Sequence, residues 1–112
     1  MRRLIVLAAL VVGLALPSAA FASALDGHVT GVISGANAYV YIHNLNTGAN
    51  GSTQADGSGN YHFSGLTPGY TYSVYATKIS GCFQYFSGTA YFLAQIGGNN
   101  VPLNMDQSER WC

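Results

Sequence analysis

The chain has 112 residues, of which 7% are charged, and a formal net charge of zero at pH 7 with histidine neutral. That length accommodates one small domain and excludes a multidomain enzyme. Beyond residue 22 the charged side chains are Asp26, Asp56, Lys78, Asp106, Glu109 and Arg110, a formal charge of −2. Two basic groups leave no electrostatic footprint for phosphates, so no nucleic-acid partner is expected.

Residues 1–22 read as a secretory signal peptide of bacterial type. Arg2 and Arg3 form a positive n-region, Leu4 to Leu16 is an apolar run interrupted only by Gly13, and Pro17 ends it. Ala20 and Ala22 place small residues at the two positions a signal peptidase reads, so cleavage is expected after Ala22. As a helix the run would rise about 20 Å against a hydrocarbon core of about 30 Å, too short for an anchor. The mature chain, residues 23–112, is therefore expected to be secreted or periplasmic, with no membrane span. In that oxidising setting Cys82 and Cys112 permit one intramolecular bridge, and the rival is an intermolecular disulfide. No basic group adjoins either cysteine in sequence, which argues against a catalytic thiol.

Past the leader, short alternating runs are punctuated by Gly, Asn and Asp, with no helical period. Gly27–Ile33 opens the series. In Ala38–His43 the residues Ala38, Val40 and Ile42 share one face, and Tyr39, Tyr41 and His43 the other. Asn46-Thr47-Gly48 is a turn, followed by a strand over Ser52–Ala55. Asp56-Gly57-Ser58-Gly59-Asn60 turns the chain into Tyr61–Ser64, and Thr67-Pro68-Gly69 turns it into Tyr70–Ala76. There Tyr72, Val74 and Ala76 point inward and Thr71, Ser73 and Tyr75 outward. Cys82–Phe86 and Thr89–Leu93 follow, then a turn at Gly97-Gly98-Asn99-Asn100. Last, Val101, Leu103 and Met105 alternate with Pro102 and Asn104, a pattern that suits an edge strand. Seven or eight strands at this spacing predict an all-β chain, an antiparallel β-sandwich in one domain over 23–112.

The segment from Asp56 to Ala76 reads D-G-x-G-x-Y-x-F-x-x-L-x-P-G-x-Y-x-V through Asp56, Gly57, Gly59, Tyr61, Phe63, Leu66, Pro68, Gly69, Tyr72 and Val74. Physically this is strand end, turn, strand, tight turn, strand. Gly59 permits a positive φ, Leu66 fills the core at the bend, and Pro68-Gly69 satisfies a type II turn. The segment resembles carboxypeptidase regulatory-like domains, which are transthyretin-like (prealbumin-like) sandwiches related to Cna B-type repeats. Gly27–Ile33, Ala38–Ile42 and Thr47-Gly48 resemble that family's first strands. The resemblance covers about 50 residues well and implies a non-catalytic module; its pattern residues are turn and core positions that carry no chemistry. Some Cna B-type domains form a Lys–Asn isopeptide bond, but Lys78 is the only lysine here and lies off the first strand. The transthyretin-like hydrolase ends in Tyr-Arg-Gly-Ser, whereas this chain ends Glu109-Arg110-Trp111-Cys112.

Chemistry is sparse elsewhere. His28, His43 and His62 with Asp56 have donors that suit zinc or copper, but no two histidines have ligand-like spacing, so no metal and no cofactor is expected. A Ser–His62–Asp56 grouping would be the one hydrolytic candidate, yet no nucleophile-elbow sequence surrounds any Ser, and no catalytic residue is assigned. The Asp56–Asn60 loop lacks the acidic count and the closing Glu of a calcium loop. Asn50-Gly51-Ser52 is a glycosylation sequon in hosts that use it and otherwise a turn. Aromatic rings are the feature the fold leaves over: Tyr39, Tyr41, His43, Tyr75 and Trp111 form the candidate binding face. Such rings either pair across strands or bind a ligand. Two functions compete. The first is a structural or protein-interaction module whose partner is a secreted or surface protein. The second is a carbohydrate-binding module whose partner is a polysaccharide, with a small hydrolase a distant third.

Overall fold

A computed structural model describes residues 22–112; the expected signal peptide, apart from its last residue Ala22, and its cleavage residue Ala20 lie outside the described residues. Ten strands and no helix are found there: β1 (Ser23–Gly31), β2 (Tyr39–Asn44), β3 (Asn50–Gln54), β4 (Asn60–Leu66), β5 (Thr71–Ser80), β6 (Phe83–Phe86), β7 (Ala90–Leu93), β8 (Gly97–Asn100), β9 (Leu103–Met105) and β10 (Gln107–Arg110). They form two sheets. One is ordered β4-β1-β8 with β9 also on β1, and the other β10-β6-β5-β2-β3 with β7 also on β5. The architecture is the all-β sandwich that the alternation predicts.

Its core follows the period-2 pattern. Leu25, Val29 and Tyr61 from the first sheet meet Val40, Ile42, Tyr72, Val74 and Ala76 from the second, with Leu103 and Met105 of β9 completing the cluster. Leu25, Val40, Val74 and Met105 are wholly buried, so each residue of these strands that faces inward is followed by one that faces water.

Gly27 and Tyr61 are direct partners across the β1–β4 ladder. A Cβ on Gly27 would collide with the Tyr61 ring and with the Val101 carbonyl, so glycine is required for the ring to lie over the strand. The phenol then donates to the Val101 carbonyl at 2.6 Å, and burial pushes its pKa well above the ordinary tyrosine value, with the Asp26 carboxylate adding to the shift. Both turns of the pattern segment have the predicted geometry. Gly59 has φ +89° and Gly69 φ +89°, and the Tyr70 amide donates to the Thr67 carbonyl to close the second turn.

Three features differ from the sequence expectation. Gly97–Asn100, expected as a turn, is a strand running parallel to β1. Asn99 fixes it there by donating to Ser23 Oγ at 2.7 Å and to the Ala24 carbonyl at 2.8 Å. β9 also runs parallel to β1, and Pro102 precedes it rather than lying inside it. The tail forms β10 on β6, because the bridge Cys82–Cys112 holds it beside that strand. The disulfide is therefore intramolecular.

Two predictions follow from this framework. A bridge spanning 30 residues stabilises the fold by about 3–4 kcal/mol through the unfolded chain, so reduction should lower the urea midpoint accordingly; an unchanged midpoint would show that the tail adds nothing. Tyr61→Phe should cost about 1 kcal/mol at neutral pH through the orphaned Val101 carbonyl. Because folding raises the Tyr61 pKa, its stabilisation is complete below about pH 10 and declines above it. The gap between wild type and Tyr61→Phe should therefore close in alkaline urea titrations, and a constant gap would contradict that linkage.

Candidate functional site

The face of β5 that points away from the core carries the candidate site. The β2–β5 register sets Tyr39 opposite Thr77, Tyr41 opposite Tyr75 and His43 opposite Ser73. Since partners in register share a face, the outward residues of the two strands form one surface. The rings of Tyr41 and Tyr75 stack, with centroids 5.4 Å apart and planes inclined by 26°. β3 extends the surface with Asn50, Ser52 and Gln54, β6 and β10 with Gln84, Phe86, Gln107 and Glu109, and β7 with Tyr91 opposite Ser73.

The middle of this sheet is hollowed for a definite reason. β6 pairs with β5 only from Thr77 onward, and β7 only up to Val74. Between them the chain pulls away, and Ser87 spans the gap: the Ala76 amide donates to its hydroxyl at 2.9 Å and the Ser87 amide donates to the Ala76 carbonyl at 2.9 Å. A depression of about 510 Å³ results, bounded by Tyr75, Thr77, Ser87 and Thr89. A second of about 470 Å³ lies against Tyr39, Tyr41, Thr77 and Gln84. A third of about 190 Å³ lies between Tyr41, His43, Asn50 and Tyr75. Tyr75 walls the first and third, Thr77 and Gln84 the first and second, and Tyr41 the second and third, so the three adjoin as one open groove around the stacked pair.

Of the residues expected on a binding face, Tyr39, Tyr41, His43 and Tyr75 come together here. Trp111 lines none of these depressions; its amide donates to the Cys82 carbonyl beside the disulfide. Tyr91, 67% exposed, is a member the sequence reading passed over, although the alternation in Ala90–Leu93 already put it opposite Phe92. The tyrosines divide by use of the hydroxyl. Tyr61 donates to Val101 and Tyr72 accepts from the Thr67 amide. Among the described residues, Tyr39, Tyr41 and Tyr75 have no hydroxyl partner.

The remaining polar groups serve the fold. Asp56, considered with His62 as a hydrolytic candidate and not assigned that role, accepts the amides of Ser58 and Asn60, each at 2.9 Å. His62 pairs with Asp26 at 2.7 Å, both largely exposed. The reason is register: His62 lies opposite Asp26 on β1, whereas Asp56 is spent within its own turn. His28 pairs with Asn60 at 3.1 Å and His43 with Asn50 at 2.6 Å. Among the described residues no three His, Cys, Asp or Glu are grouped to hold a metal ion. Lys78 Nζ donates to the carbonyls of Ser34 and Ala36 at 2.9 and 2.6 Å, tying down the β1–β2 loop.

No family model and no curated protein matches the chain. Among solved structures its fold is similar to that of the shaft pilin SpaA from Lactobacillus rhamnosus GG, in a double-mutant form, with a TM-score of 0.50 and 11% identity. The chain is a β-sandwich, a fold it shares with part of that pilin. The match covers 77% of this chain and 47% of the pilin, so the chain spans about half the length of that neighbour.

The Asp56 turn gives a pH test. Amides of Asn60 and Ser58 hold its carboxyl below the ordinary 3.8, so its stabilisation is present above that value and is lost as pH falls through the folded one. Between about pH 5 and pH 2 the melting temperature of wild type should fall more steeply than that of Asp56→Asn, the two converging at the acid end. Parallel curves would mean that the carboxylate charge contributes nothing.

Proposed function

We propose that this chain is a secreted, non-catalytic structural or protein-interaction module of an extracytoplasmic assembly, processed after Ala22 to a single domain over residues 23–112. The observation that carries this reading is a disulfide-closed sandwich of pilin-like fold that spends its histidines and Asp56 on local pairs and turns. Nothing grouped there resembles a nucleophile with its base. The leader motif of Arg2, Arg3 and the Leu4–Leu16 run supports export, and the disulfide fits an oxidising compartment. The Asp56–Val74 pattern supports a carboxypeptidase regulatory-like affiliation within the sandwich class, since its turn and core residues occupy turn and core positions. No family model adds weight to that narrower assignment.

A module of this kind acts by contact. Chemical crosslinking in the cells that make it, followed by mass spectrometry, should recover the chain without residues 1–22. It should also be joined to one reproducible extracytoplasmic protein. Recovery with the leader attached, or only as an uncrosslinked monomer, would contradict the proposal.

A further inference from the structure

The geometry points to the ligand of the tyrosine groove: we propose that the outer face of the larger sheet binds an uncharged polysaccharide strand, with Tyr41 and Tyr75 as its central platform. This rests on the reading of the chain as a non-catalytic binding module. Charge is the first argument. Along the groove the polar side chains are amides, hydroxyls and the His43 imidazole, which pairs with Asn50, with Glu109 the single carboxylate and Lys78 already held by two backbone carbonyls. An acidic polysaccharide would find no free lysine or arginine there, whereas a neutral glycan needs none.

The second argument is the ratio of flat apolar surface to hydrogen-bonding groups. Tyr41 and Tyr75 stack on each other across the ladder, yet remain 38% and 40% exposed, so each still offers ring surface to a ligand. They are flanked by Asn50, Ser73, Thr77 and Gln84. A sugar offers a C–H face to a ring and hydroxyls to everything around it, so it satisfies both groups at once. A protein core contact of about one hydrogen bond per 100–200 Å² would leave many of these amides buried without partners. The free phenol hydroxyls of the site tyrosines add donors at the platform rim. Shape is the third argument. The three depressions are open and joined through shared walls, which suits an extended chain lying across strands better than a small molecule that needs enclosure.

The test uses the full chain, exported and disulfide-bonded, in affinity electrophoresis through gels containing laminarin, glucomannan, arabinoxylan or dextran, with polygalacturonate as the acidic control. Calorimetry with hexasaccharides of the same linkages gives the affinities. At least one neutral polymer should retard the chain, and polygalacturonate should not. Tyr41→Ala and Tyr75→Ala should each weaken binding by about tenfold, while Tyr41→Phe, which keeps the ring, should lose much less. Trp111→Ala should bind as wild type. These side chains are exposed, and an unchanged circular dichroism spectrum would show that the variants fold. Retardation by no neutral polymer, or retention unaffected by loss of either ring, would overturn the proposal. In that event a protein crosslinked through the same face would leave the binding-module reading standing, and no crosslinked partner would remove both.

Discussion

The ladder between β2 and β5 is the constraint on which the other elements depend. β5 is paired with β2 from Tyr72 to Thr77 on that side, and on the other it serves β7 with its first half and β6 with its second. Its inward residues Tyr72, Val74 and Ala76 are core. A slip of one residue would set Tyr41 opposite Val74 or Ala76, so that either Tyr41 would be driven into the sandwich or the aliphatic residues of β5 put in water. Burial of the aliphatic face therefore decides where the tyrosines stand, without any contribution from the tyrosines themselves. The same strand produces the groove, because two partners that share β5 cannot be continuous, and Ser87 covers the interval between them.

Much of the fold was legible because alternation and turn chemistry act locally. Val40 and Ile42, or Val74 and Ala76, declare a buried face by spacing alone, and Gly59 and Gly69 declare turns by the φ they allow. Adjacency was not legible in that way. Tyr41 and Tyr75 were each assigned outward, but only the register makes them a stacked pair. Nothing in the sequence near His62 points to Asp26, 36 residues away, which the register sets opposite it. The Gly-Gly-Asn-Asn of β8 has poor strand propensity, and it is a strand because β1 lies beside it and Asn99 ties the two. β10 likewise exists through its neighbour, with the disulfide supplying proximity that composition cannot reveal. Tyr91 could have been selected, since period 2 placed it outward; what it lacked was any sign that β7 lies on the same sheet as β2.

Residues that resemble chemistry here are mostly residues of construction. Asp56 shapes a turn, Asn44 accepts the amides of Asn46 and Thr47 to fold the β2–β3 connection, and Lys78 anchors a loop. The molecular surface is unequal. The outer face of the larger sheet gathers exposed rings and uncharged hydrogen-bonding groups around a hollow, whereas the outer side of the β1–β4 pair carries Asp26, His28 and His62 in local pairs. The two outer faces of the sandwich therefore differ in kind.

The central claim is the register that sets Tyr41 beside Tyr75, and nuclear Overhauser contacts report it directly. In the oxidised protein, ring protons of Tyr41 should show strong contacts to those of Tyr75, and backbone protons of Tyr39 should show contacts to Thr77. Contacts from Tyr41 to Val74 or Ala76 in their place would mean a slipped ladder, an inverted face and no groove of the kind described.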